Sequence, residues 1–384
     1  MFILALSIPL FLLSFIWEKF TNGSKVILRA LLIFTFAASF TAYYPNGSDW
    51  VIYYLKFLDD GEPFLSFEFG FVIFFKFLLF LTGENYGASI LIFFMLCFST
   101  LNYVLVKFKV NEPLFWGALF VLFGYNLVLE QLRQFIACIL VLYAILKFNE
   151  NERKLTLLVW VIIASSFHVS SLIILPSLLL VRLKNINTFI FITLSAIVGF
   201  VAVLFGGYAL ISLLANINFA FAKVLYYLDQ NHVSLNFGWL NLVDAIYVLF
   251  YIYYRAAIDS NSSLRIFTRL IFVGAIIHLF SGSITFLVRV SFYYYFVALY
   301  VFCLTSPYSK KRILRIQSYN TFILSVFFTG MLFLNFISYF RNEQAPVQFF
   351  NLNFQFWTFM NDKHVNRIAN EKYAELEKTN SVNL

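Results

Sequence analysis

Five ionisable residues stand out because each falls inside or beside a long apolar run. Arg133 sits in Glu130-Gln131-Leu132-Arg133-Gln134 at the start of an apolar stretch. Its guanidinium can pair with Glu130 three residues earlier, or stand as a fork-shaped donor suited to bidentate phosphate binding. Gln134 adds an amide that can serve sugar hydroxyls. His168 lies among Ser165, Ser166, Ser170 and Ser171 in the middle of an apolar segment. A lone histidine there is either a hydrogen-bonded structural residue or, with an ordinary pKa near 6.5, a general base. Asp49 follows a Pro- and Gly-marked turn, Tyr44-Pro45-Asn46-Gly47-Ser48. It can cap a short helix from Trp50, or hold sugar hydroxyls and take a proton. Tyr53 and Tyr54 beside it suit the membrane interface. Arg289 precedes Phe292-Tyr293-Tyr294-Tyr295, where it can snorkel or serve a polar site, and Tyr293 can stack on a sugar ring. Asp244 is a carboxylate within an apolar run that needs a basic partner, Arg289 or His278.

The elements holding these residues are set by composition. Of 384 residues, 61% are hydrophobic, 21% aromatic and only 12% charged. That excludes a soluble enzyme, a disordered tail and a disulfide-stapled secreted module. The net charge of +8 fits the basic bias of a membrane protein's cytoplasmic loops and gives no nucleic-acid patch. Cys97, Cys138 and Cys303 lie in apolar segments and read as small hydrophobes. The four histidines, at 168, 232, 278 and 364, are scattered, and no metal, P-loop or nucleophile-elbow motif is present. The sequence predicts no metal site, and no cofactor is expected.

At about 20 apolar residues per crossing, spans are expected at 2–17, 26–43, 66–82, 87–106, 113–130, 132–148, 155–181, 188–214, 237–257, 264–281, 283–305 and 318–339. The expected fold is an all-α transmembrane bundle of roughly 11–12 segments, re-entrant or broken helices included. The first segment, Met1–Trp17, reads as a retained helix. A membrane domain over 1–340, with outer loops at 44–66 and 216–236, is followed by a polar tail at 341–384. Lys310, Lys311, Arg312 and Arg315 mark a cytoplasmic loop, and Glu18–Lys25 with Arg29 marks another. Arg29, Lys76, Lys147 and Arg269 read as snorkelling side chains near helix ends. Segment 155–181 is too long for one upright helix. It is either a tilted span or two short helices meeting near Ser166–Ser170, and the second choice requires one segment within 66–106 not to cross fully.

Taken in order, several stretches resemble the EpsG/Wzy-type bacterial polysaccharide polymerases. They are Gly47-Ser48-Asp49 with Tyr53 and Tyr54, Glu62-Pro63-Phe64, Leu132-Arg133-Gln134-Phe135-Ile136-Ala137, Phe167-His168-Val169-Ser170-Ser171-Leu172, and Arg289 ahead of the tyrosines. The resemblance implies an inner-membrane glycosyltransferase with its active site facing the periplasm or cell exterior. It would polymerise undecaprenyl-pyrophosphate-linked oligosaccharides into O-antigen, capsule or exopolysaccharide. Arg133 and Arg289 would stabilise the leaving pyrophosphate, and His168 or Asp49 would serve as base. Gln134, Tyr53, Tyr54, Asp244 and Tyr293 would contact substrate. Membrane lipids, the growing glycan, a chain-length regulator and a flippase are the implied partners. The rival readings are a lipid-linked oligosaccharide flippase or other transporter, an O-antigen ligase, and a membrane sugar acyltransferase.

Overall fold

A computed structural model of the chain describes residues 2–47, 49–59, 63–151, 154–206, 208–215, 225, 238–256, 264–280, 286–305, 330, 333–334 and 365–374. It is 90% helical, with no strand among the described residues, which is the expected all-α bundle. Hydrocarbon offers no partner to a backbone N–H or C=O, so each segment satisfies its own by winding into a helix. The helices are α1 (Phe2–Ile16), α2 (Asn22–Tyr43), α3 (Asp49–Tyr54), α4 (Pro63–Ser66), α5 (Phe69–Leu81), α6 (Tyr86–Lys107), α7 (Glu112–Phe123) and α8 (Leu132–Asn151). They continue with α9 (Lys154–Phe167), α10 (Ile174–Leu180), α11 (Ile186–Gly206), α12 (Tyr208–Ala215), α13 (Trp239–Tyr253), α14 (Arg265–Leu279) and α15 (Phe286–Thr305). A last helix, α16, covers 365–374. Among the described residues, six helices are long and apolar enough to cross a membrane, and the remaining apolar helices are shorter. The basic loop at Lys310–Arg315, most of span 318–339 and nearly all of loop 216–236 lie outside the described residues.

Lipid tails are as apolar as the helices, so packing rather than escape from water holds the bundle together. Phenylalanines supply much of it. Phe36 and Phe40 of α2 meet Phe94 and Phe98 of α6 and Phe120 of α7, and Phe98 reaches Phe135 of α8. Where helices approach most closely, glycine provides the room: a Cβ on Gly274 of α14 would stand 2.2 Å from the Tyr294 Cβ of α15.

The polar groups separate to two ends of this bundle. At one end, Trp17 and Arg29 both donate to the Glu112 carboxylate, and Asn111 donates to the Ser14 carbonyl. Lys107 reaches Tyr143, Arg182 lies over the Phe148 ring, Arg255 donates to Asn187, and Arg269 donates to the Val181 carbonyl. This end therefore gathers Lys25, Arg29, Lys107, Arg182, Arg255 and Arg269. The opposite end joins the termini of α2, α3, α8, α9 and α15. Along α8, Arg133 and Lys147 are about 21 Å apart at 1.5 Å per residue.

Segment 155–181 is the broken pair. α9 stops at Phe167, His168 is extended (φ −156°, ψ 113°), and a 3-10 turn over Val169–Ile173 leads into α10. The segment that then fails to cross is 66–82. α5 is only 13 residues long, starts at the non-basic end, and folds back on α6, with Phe75 against Tyr86 and Phe71 against Phe93.

Two expected snorkelling residues are corrected. Arg269 is fully buried, and its guanidinium caps the carbonyls of Val181 and Leu183 beyond α10, a common use of arginine at a helix C-terminus. Arg29 turns inward to Glu112, because a paired charge in a partly buried place costs less than a lone one.

Candidate active site

The loop after α2 folds on itself first. Gly47 N–H donates to the Tyr44 carbonyl, Asn46 Nδ2 to the Tyr43 carbonyl and Trp50 Nε1 to the Pro45 carbonyl. The Asp49 backbone N–H then donates to Glu130 Oε2 at 2.9 Å. Gly47 makes this possible, since a Cβ there would stand 2.9 Å from Glu130 Oε1. Glu130 follows a wide π turn over Gly124–Leu129, an interruption often found at functional sites. Asp49 is half-buried. Burial first, then the neighbouring Glu130 charge, raises its carboxyl to about 6, while Arg289 and Arg133 act the other way.

The centre of the cluster is Glu68, which is not among the candidate residues drawn from the sequence. Glu68 is the N-cap of α5, yet its side chain makes no capping bond. Thr21, Asn85 and Asn111 at other helix starts do make one. Glu68 instead accepts from Arg133 Nη1 through one oxygen. Its other oxygen lies 3.1 Å from His168 Nδ1 and 3.3 Å from the Val169 N–H. Burial opposes the Glu68 charge, but the His168 hydrogen bond and the Arg133 charge outweigh it and hold the carboxyl well below its ordinary value. Arg133 also donates through Nε to the Tyr53 hydroxyl at 3.2 Å, and its guanidinium lies 4.8 Å from the centre of the Phe67 ring. Its Nη2 has no hydrogen-bond partner among the described residues.

The helices converge at this point because α5 can pass close to the end of α9. Gly70 sits against Ser166, two residues beyond Glu68 and two before His168. On the other side, Gln134 donates to the Arg289 carbonyl, tying the start of α8 to the start of α15. The Gln134 carbonyl oxygen is buried without a partner among the described residues. Arg289 interacts electrostatically with both Asp49 and His168. Ser170 and the Tyr293 hydroxyl lie 3.1 Å apart. Arg133 and Arg289 both occupy first helical turns, where the dipole disfavours cations and attracts anions. The two arginines and two helix N-termini stand against the Glu68 and Glu130 carboxylates, so the site holds charges of both signs.

Asp49, Tyr53, Arg133, Gln134, His168, Arg289 and Tyr293 are thus brought together. Tyr54 and Asp244 are turned elsewhere. The Tyr54 hydroxyl donates to Asn366 of α16. Asp244 is wholly buried, with one oxygen on His278 Nδ1 and the other accepting from Tyr295; of its two expected partners, the structure selects His278. Of the two readings of Arg133, the pairing with Glu130 is not the one formed: Arg133 pairs with Glu68. Glu130 precedes α8, so helical i, i+3 spacing never applies to it. Glu68 and Gly70 were legible only as Glu-x-Gly ahead of an apolar run, a signal with no meaning until α5 is placed beside α9.

The model of the EpsG family matches residues 3–355. Neither a curated protein nor a solved structure matches the chain.

Proposed function

The chain belongs to the EpsG family, and from that premise we propose that it polymerises lipid-linked oligosaccharide repeat units at the outer leaflet of the bacterial cytoplasmic membrane. A polysaccharide polymerase role is the general property of the family. The observation that carries the finer reading is the convergence of Arg133, His168, Asp49 and Arg289 at the end of the bundle opposite Lys25, Arg29, Lys107, Arg182, Arg255 and Arg269. By the positive-inside rule the basic end faces the cytoplasm, so the cluster faces outward, where assembled repeat units are presented.

The donor is a glycan joined through its anomeric carbon to undecaprenyl pyrophosphate. A hydroxyl of a second lipid-linked unit attacks that carbon. The new C–O bond forms as the bond to the phosphate oxygen breaks, the hydroxyl proton passes to His168, and undecaprenyl pyrophosphate leaves. Negative charge develops on the pyrophosphate, and preorganised cations at that position lower the barrier. Arg133, with Nη2 uncommitted, and Arg289 fill this role without a divalent ion. Asp49, as its neutral acid or its anion, holds acceptor hydroxyls. The apolar flanks admit the prenyl chain from the bilayer.

The test uses purified protein in detergent with undecaprenyl-pyrophosphate-linked repeat units. Chain growth by the wild-type protein, lost in Arg133→Ala and His168→Ala, supports a polymerase. Absence of growth in detergent, together with movement of the lipid-linked unit across a sealed vesicle, would instead make the protein a transporter.

A further inference from the structure

Among the described residues, Glu68 is the carboxylate that joins the two groups given separate chemical roles above. It takes Arg133 Nη1 on Oε2, and His168 Nδ1 together with the Val169 N–H on Oε1. An ionised carboxylate only accepts hydrogen bonds, so the 3.1 Å contact to His168 assigns the ring proton to Nδ1. That leaves Nε2 as the basic nitrogen, and it has no partner among the described residues. The Val169 bond fixes the carboxylate against the backbone immediately after the histidine, so the ring and its acceptor move as a unit. Other charges facing His168 are Arg133 from α8 and Arg289 from α15. Both are cations and both oppose an imidazolium; Glu68 is the anion that offsets them.

We propose that Glu68 is a positioning residue for the transfer reaction, holding His168 as the Nδ1–H tautomer with Nε2 toward the acceptor hydroxyl while keeping Arg133 aligned on the leaving group. This rests on the polymerase reading. Glu68 itself touches neither substrate. It favours the imidazolium that forms when His168 takes the acceptor proton, as carboxylates oriented on histidines do elsewhere.

The experiment compares wild type, Glu68→Gln and Glu68→Asp as purified protein with undecaprenyl-pyrophosphate-linked repeat units, rates being expressed per folded enzyme across pH. Glu68→Gln is expected to lower kcat at least tenfold with KM little changed. It should also move the acid limb of the pH profile to lower pH by about one unit, because the anion that favours the imidazolium is gone. Glu68→Asp, which keeps the charge, should keep the limb in place. A wild-type kcat and an unmoved limb in Glu68→Gln would overturn the proposal, and so would a loss of folded protein alone with normal kinetics per folded molecule. Solid-state 15N spectra of histidine-labelled wild-type protein, with His168 assigned by its absence in His168→Gln, test the same claim without a Glu68 variant. A protonated Nδ1 supports it and a protonated Nε2 refutes it. Failure of the wild type to polymerise at all would count against the functional reading, while the tautomer would still decide the Glu68–His168 link.

Discussion

Gly70 lies so close to Ser166 that a Cβ on the glycine would stand 2.2 Å from the serine Oγ and 2.8 Å from its carbonyl oxygen. The hydroxyl can rotate away, but the carbonyl belongs to the last turn of α9 and cannot. Gly70→Ala therefore has to push α5 away from α9, and the Glu68–His168 hydrogen bond spans that same gap. We expect a destabilisation of about 1–3 kcal/mol, typical of overpacking, and a loss of polymer well beyond what the stability change explains. Thermal unfolding in detergent, together with polymer length in cells, checks this. Adding Ser166→Gly should restore little, because the backbone clash remains. Full activity in Gly70→Ala would show that α5 can move without consequence for the site.

Glu130 supports Asp49 differently. A methyl group on Gly47 would meet the far end of the Glu130 side chain at 2.9 Å, which can swing, and the Tyr44 carbonyl oxygen at 3.3 Å, which need give only a few tenths of an ångström. Gly47→Ala should then cost less than about 1 kcal/mol while breaking the bond from the Asp49 amide. Glu130→Gln keeps an acceptor for that amide and removes the charge that helps raise the Asp49 carboxyl. Comparing the two variants separates placement of Asp49 from its titration. If placement matters, Gly47→Ala loses more polymerisation than Glu130→Gln in the detergent assay.

The bundle itself was legible because apolar length and the cost of unpaired backbone polar groups leave few alternatives in hydrocarbon. The break at His168 was legible as one of two options, since a stretch that long with four serines near its middle does not suit one upright helix. The partnerships were not legible. Arg133 and Glu130 are neighbours in sequence, which favoured pairing them, whereas Glu68, 65 residues away, reaches Arg133 only because Gly70 lets α5 pass Ser166. Tyr53 and Tyr54 show the same limit: adjacent and alike in the chain, they leave a short helix in different directions, one to Arg133 and the other to Asn366.

The pH dependence of stability follows from two carboxylates shifted in opposite directions. Glu68 is held well below its ordinary value, so it remains ionised at any pH a membrane assay can use, and the stability it contributes is lost only in strong acid. Asp49, raised to about 6, binds its proton more tightly when folded than unfolded. Its contribution to stability is present in acid and lost as pH rises through about 6. Asp49→Asn should therefore raise the unfolding temperature most at pH 8 and progressively less as pH falls toward about 4, the gain at pH 8 being on the order of 1 kcal/mol after allowance for solvent screening. If His168 is the base, the acid limb of polymerisation persists in Asp49→Asn. Its disappearance there would transfer the role to Asp49.

Asp244 offers a contrast, because its hydrogen bonds are already spent. The carboxylate is fully buried, shared between His278 of α14 and Tyr295 of α15, and Asn241 one turn earlier donates to the carbonyls of His278 and Leu279. Three helices are joined through this one side chain. Asp244→Ala leaves a buried imidazole and a buried phenol without their acceptor and should cost about 2–4 kcal/mol. The double variant Asp244→Ala with His278→Ala should cost less than the sum of the single ones, since the histidine is then no longer stranded. Thermal unfolding of the four proteins in one detergent measures that coupling. Polymerisation per folded molecule should be close to wild type in Asp244→Asn. A raised KM for the lipid-linked unit with an unchanged unfolding temperature would place Asp244 on the substrate path instead.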